Sequence, residues 1–263
     1  MIYDIQFVLP VSSKGIFKKR FEDFLKHYGM YNIKNNKIKI YFLIGTENSD
    51  NFEVDINVDY EFISAPDNQA SFKIHDFFTK MTIEQANQAK WTAKIDDDTF
   101  NDIDTMVKAL SDYDHNENIY IVTGPDIRED LEGESIFCLK KLHLWSTIFP
   151  NIWHELEGCW ISQCTMKKII SNEISLTFLN ERKKIKEGFT DQGLAIAAIL
   201  AKCHIIKDNR FHAAMNQMPL PLTMLSLYGN WICHLHPVSG DKNESIQSII
   251  IKKINSLKGN NDV

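Results

Sequence analysis

No stretch of this chain approaches the ~18 consecutive apolar residues that a membrane-spanning helix needs. The glycine-rich loops that cradle phosphates, GxxxxGK and GxGxxG, are also absent. Cysteines are few: Cys138, Cys159, Cys164, Cys203 and Cys233, five in all. Odd in number and without CxxC spacing, they read as reduced thiols in a reducing compartment rather than as a disulfide framework. Cys203-His204 and Cys233-His234 lack the spacing of a structural zinc site. There is no basic excess, since 29 Lys and Arg stand against 35 Asp and Glu, a formal charge of -6. That disfavours a bulk nucleic-acid binder. A small anionic ligand is still accommodated, because a bound divalent cation reverses the local field. The apolar run at residues 5–11 is too short for a secretory leader and follows Asp4 rather than a basic start. A cytoplasmic protein is expected, unless a stem and anchor precede this sequence. No Gly/Ser/Pro linker or internal repeat divides it, so residues 1–258 read as one domain and 259–263 as a frayed tail.

What the chain does contain is an alternation of strand and helix patterns. Residues 5–11 predict a buried strand. Phe17, Phe21, Phe24, Leu25 and Tyr28 then recur on one helical face. Residues 38–45 (IKIYFLIG) form an apolar run ended by glycine, as a buried parallel strand should. A helix is predicted across residues 72–89, turning Ile74, Phe77, Phe78, Met81 and Ala89 inward. A short strand at 91–95 stops at three consecutive aspartates, and a helix at 102–110 and a strand at 118–122 follow. The second half predicts strands at 137–144, 157–162 and 231–238. It also predicts a helix through Met166, Ile169 and Ile170, a buried helix at 190–201 capped by Thr190, and an amphipathic helix at 246–257. The pattern is that of an α/β fold with a mixed, mostly parallel sheet flanked by helices.

Asp96, Asp97 and Asp98 stand together just after an apolar strand. Like charges this close raise one another's pKa unless a cation compensates them. Hard divalent cations prefer carboxylate oxygens, and a Mg²⁺ or Mn²⁺ held by one or two of them keeps positions free for phosphate. In extended chain Asp96 and Asp98 would share a face and Asp97 would point elsewhere. The plainer reading is a solvated turn in which Asp98 caps the following helix. A calcium loop does not fit, because the glycine and the distal glutamate are missing. Open α/β sheets bind ligands at the carboxyl ends of their strands, which is where the triplet lies.

The string KIDDDTF at residues 94–100 strongly resembles the KxDDDxF segment of the fringe and β1,3-galactosyl/N-acetylglucosaminyltransferase group of GT-A glycosyltransferases. FLIG at 42–45 is similar to that group's upstream FLxG. GCWIS at 158–162, followed by Ile169 and Ile170, resembles its GxGYxLSRxxxxxL segment. Asp191, opening an apolar helix, is placed like the acidic pair before VYVGLCL, and CHLHP at 233–237 resembles the C-terminal histidine segment. There are departures from the pattern. Thr190 replaces the first acid of the pair, Gln163 replaces the LSR arginine, and Lys18-Lys19-Arg20 stands without the tryptophan that follows the first strand.

The resemblance implies a GT-A fold and an inverting transfer of a hexose or N-acetylhexosamine from a UDP-sugar, with Mn²⁺ or Mg²⁺. It nominates Asp98 and Asp96, with His234 or His236, as metal ligands, and Asp191 as the base that takes the acceptor hydroxyl's proton. His234 and His236 share a face if their segment is a strand. Asp96, Asp97, Lys94 and Asp67 are candidates for donor contact. Trp160, Trp153 and Glu157 are candidates for the acceptor, since aromatic faces stack on sugars, although tryptophan more commonly packs a core. TGPD at 123–126 reads as a turn or as a loop closing over the donor. The basic run at 182–186 reads as a solvated face, or as an attraction for a phosphate-bearing acceptor or a membrane surface. The expected acceptor is a glycan or lipid-linked glycan in surface polysaccharide biosynthesis at the inner face of the membrane. Alternatives are a retaining GT-A transferase, a nucleotidyl- or phosphotransferase, and a non-catalytic sugar- or nucleotide-binding module.

Overall fold

The computed structural model describes residues 2–12, 15–25, 33–45, 54–66, 69–124, 133–144, 158–185, 190–213 and 234–236. Its strands in chain order are β1 (Tyr3–Pro10), β2 (Ile38–Gly45), β3 (Asp59–Ala65), β4 (Ala89–Lys94), β5 (Phe100–Asn101), β6 (Ile119–Gly124), β7 (Cys159–Ser162), β8 (His204–Ala213) and β9 (His234–His236). The helices are α1 (Gly15–Asp23), α2 (Ala70–Lys80), α3 (Ile83–Ala86), α4 (Ile103–Leu110), α5 (Gly133–Lys141), α6 (Gln163–Ser171), α7 (Glu173–Lys183) and α8 (Thr190–Leu200).

The nine strands form one sheet in the order β3-β2-β1-β4-β7-β6-β8-β9-β5. Its first four strands are mutually parallel. β7 runs antiparallel between β4 and β6, and β6, β8 and β9 are again parallel. The sheet is therefore mixed and mostly parallel, as the alternation predicts.

Strand periodicity divides the core between the two faces. On one face Ile5, Phe7, Leu9, Ile40, Phe42 and Ala93 pack beneath Phe21 of α1, Phe24 just past its end, and Met106 and Leu110 of α4. On the other, Val8, Tyr41, Leu43, Tyr120 and Ile161 pack against α2, α6, α7 and α8 through Phe78, Met166, Phe178 and Leu194. Strands covered on both faces read as continuous apolar runs, which is why β1 and β2 were plain in the sequence.

Several expectations need correction. The helix predicted over 72–89 ends at Lys80, and Met81 and Thr82 are extended. Thr82 starts α3 with a capping box, its Oγ1 accepting from Gln85 N–H and its own N–H donating to Gln85 Oε1. Ala89 already belongs to β4. The strand predicted at 137–144 is instead the second half of α5, as far as Lys141, followed by a turn at 142–143. Cys138, Leu139 and Leu142 pack on the core there while Phe137 is exposed, a spacing of helical rather than alternating period. Phe17, expected inward on α1, is 49% exposed. β3, β8 and α7 add elements with no clear apolar signal: β3 is a sheet edge whose first three residues are exposed. In the basic run, Arg182 is fully buried, and Lys183 lies 2.9 Å from Asp76. Tyr28, the 246–257 helix and most of the 231–238 strand lie outside the described residues. Among the described residues no helix is long and apolar enough to cross a membrane.

Candidate active site

The ladder between β1 and β4 continues one step past the strand, where Ile95 N–H donates to the Val8 carbonyl at 3.2 Å. The chain then turns at Asp97 and Asp98. Thr99 Oγ1 closes this turn by donating to the Asp96 carbonyl at 2.7 Å, and Asn101 Nδ2 donates to Thr99 Oγ1 at 2.9 Å. The extended alternation that would put Asp96 and Asp98 on one face therefore does not apply. Nor does Asp98 cap the next helix. Asp102 caps α4, accepting from Thr105 N–H at 3.2 Å.

Two cations meet the triplet. Lys94 Nζ lies 2.8 Å from Asp96 Oδ2, its side chain almost wholly buried. Arg20 Nη1 of α1 lies 3.3 Å from Asp98 Oδ2. Burial pushes the Asp97 carboxyl up to about 7, the neighbouring Asp98 and Asp96 charges add to the effect, and Arg20 opposes it. Nothing in the sequence around Arg20 marks it as a partner of the triplet. Its place one turn after Phe17 on α1 gives no hint of a partner 78 positions away, whereas the helix docking that joins them does.

The triplet is followed at once by β5, which pairs antiparallel with β9 so that Phe100 faces Leu235 and Asn101 faces His234. The backbone of the nominated histidine segment thus runs beside the strand that leaves the acidic turn. His234 and His236 are both in β9, as expected of residues that alternate on a strand.

Asp191 lies in the first turn of α8. That turn is seated on α2: a Cβ added at Gly193 would stand 2.3 Å from His75 Nε2. On α2, the buried Lys73 donates its Nζ to the Val11 carbonyl at 2.7 Å, just beyond the carboxyl end of β1. β1 is the immediate neighbour of β4, so α2 links the helix bearing Asp191 to the strand ends that carry the triplet.

Trp160, nominated for sugar stacking, is fully buried. Its ring lies 4.2 Å from that of Phe211, and its Nε1 donates to Met106 Sδ at 3.2 Å. It is a core residue here, the more common use of tryptophan. Asp67, Trp153 and Glu157 lie outside the described residues, as do Pro125 and Asp126 of the 123–126 segment, whose first two residues end β6.

Among the described residues no group of three or more His, Cys, Asp or Glu side chains converges on one metal position. The donor chemistry nevertheless fits a hard cation. Three carboxylates crowd one turn, and burial together with its two acidic neighbours drives Asp97 toward its neutral form. Asp96 and Asp98 would hold such an ion through oxygen and leave other positions for phosphate.

A family model described as Fringe-like matches residues 61–221, which include both the triplet and Asp191. No curated protein sequence matches the chain significantly. Among solved structures, the chain is similar to galactosyltransferase LgtC in complex with donor and acceptor sugar analogues. That TM-score is 0.51 at 12% identity, covering 97% of this chain and 95% of the other. Mouse xyloside xylosyltransferase 1, in its apo form, gives a TM-score of 0.48 at 6% identity over 92% of this chain and 98% of that one. The family match covers more than half of the sequence, and the architecture agrees with it: the chain belongs to the Fringe-like family and is a glycosyltransferase of the GT-A fold.

Proposed function

We propose that the protein is an inverting, divalent-metal-dependent transferase that moves a hexose or N-acetylhexosamine from a UDP-sugar to a glycan hydroxyl. The observation that carries this reading is the acidic turn at the carboxyl end of β4, with a carboxyl held up to about 7 and the His234–His236 strand alongside its exit. A bound Mn²⁺ or Mg²⁺ would supply Lewis acidity and neutralise charge on the departing nucleotide. Asp98 and Asp96 would hold it, with His234 or His236. Lys94 keeps Asp96 oriented, and Asp97 serves local hydrogen bonding or donor contact.

Asp191 is the proposed base. It would accept the acceptor hydroxyl's proton as that oxygen attacks the anomeric carbon and the bond to the diphosphate breaks, which inverts configuration in one displacement. The close seat of Gly193 on His75 supports this role by fixing the backbone of that helical turn. We further infer a glycan or lipid-linked glycan acceptor in surface polysaccharide biosynthesis, at the cytoplasmic side of the membrane, and one catalytic domain over residues 1–258. Replacing Asp191 by Asn and following the anomeric configuration and turnover tests the assignment. Transfer should fall by about a hundredfold or more, at the weaker end of general-base contributions. Near-normal turnover, or a product that retains configuration, would overturn it.

A further inference from the structure

We propose that Arg20 is a built-in competitor for the divalent cation, occupying the positive position at Asp98 in the metal-free protein and giving it up when the ion binds. The proposal rests on the metal reading of the triplet and goes beyond it by assigning a role to α1.

The geometry is specific. Arg20 Nη1 lies 3.3 Å from Asp98 Oδ2, with side-chain exposures of 25% and 11%. The pair is therefore mostly withdrawn from water, where screening is weaker than at an open surface. Its guanidinium carbon lies 5.6 Å from the centre of the Phe17 ring, one turn back on the same helix. This contact accounts for a phenylalanine that the apolar spacing puts inward but that is left half exposed. Phe21, with Phe24 just past the helix end, anchors α1 in the core, so the helix delivers Arg20 to the acidic turn.

The charges then impose the exchange. Arg20 stabilises the ionised form of Asp98 through their ion pair. A doubly charged ion on the same carboxylate would sit within one side chain's width of the guanidinium, and the two cations repel. Binding of the ion therefore includes displacement of Arg20 as one of its costs. Arg20 compensates the charge of Asp98 without the ion, and the ion binds weakly until the donor's phosphates add negative charge of their own. Lys94 does not serve in this way, because it is carried on the strand itself and engages Asp96 from a buried position.

The test measures Mn²⁺ binding alone, without nucleotide, by electron paramagnetic resonance of the free ion, for the wild type, Arg20→Gln and Arg20→Lys. Arg20→Gln should bind Mn²⁺ about three- to tenfold more tightly, the range expected for removing one partly buried competing charge. Arg20→Lys, which keeps the charge, should stay near the wild type. Arg20→Gln should also melt lower in EDTA and gain more from added Mn²⁺. If the wild type binds Mn²⁺ and Arg20→Gln binds it equally or more weakly, the competitor role is overturned while the metal reading stands. If no variant binds Mn²⁺, even with UDP added, the metal reading itself fails and the competitor role with it.

Discussion

Gly193 of α8 lies directly against the imidazole of His75 on α2, so close that an added Cβ would be 2.3 Å from Nε2. His75 is fully buried. A larger residue must part the two helices. Gly193→Ala should therefore cost up to about 2 kcal/mol, because overpacking of roughly 1–3 kcal/mol is only partly offset by the helix-propensity gain of about 1 kcal/mol. Denaturant unfolding measures this. Combining it with His75→Ala should recover part of the loss, and strictly additive losses would contradict the contact. Turnover should fall more than stability alone explains, since the same turn carries Asp191.

Trp160 gives a prediction that separates core from sugar contact. With its ring on Phe211 and its Nε1 on Met106 Sδ, Trp160→Ala should destabilise the fold by roughly 3–5 kcal/mol. Trp160→Phe should retain folding and leave the acceptor KM unchanged. A variant that is folded and stable but has a raised acceptor KM would restore the sugar-binding role.

Asp97 gives the metal-free protein a pH dependence of definite sign. Its carboxyl titrates near 7 in the fold against an ordinary value of 3.8. Between those values the native state holds a proton that the unfolded chain has released. The stability it contributes is fully present below about 3.8 and is lost as pH rises through 7. In EDTA, denaturant unfolding should show this component falling from pH 5 to 7.5 in the wild type. The component should be absent in Asp97→Asn, and Mn²⁺ should reduce it by adding positive charge. The same pH slope in both proteins would refute the assignment.

How much of this was legible in the sequence depended on which residues carry their own signal. β1 and β2 are buried on both faces, so their apolar runs were unmistakable and β2 has the bounds read from it. β3 is an exposed edge, and β8 carries Lys207, Asp208 and Arg210, so neither shows an apolar pattern. The Thr82 capping box was written in the sequence as Thr-x-x-Gln, but the long apolar stripe around it masked the break. At the site, the aspartates and their position at a strand end could be read. The turn that separates Asp96 from Asp98 could not, because Thr99 and Asn101 set it through local hydrogen bonds. Arg20 and His75 owe their places to helix docking, which leaves no mark on neighbouring residues.

The central claim is that the acidic turn works through a metal on a nucleotide-sugar donor. The most direct measurement is UDP release from a panel of UDP-sugars with and without Mn²⁺, for the wild type and for Asp98→Asn of verified melting temperature. The account predicts release that requires Mn²⁺ or Mg²⁺, is abolished by EDTA and is lost in Asp98→Asn. Release that survives EDTA, or an Asp98→Asn variant as active as the wild type, would contradict it.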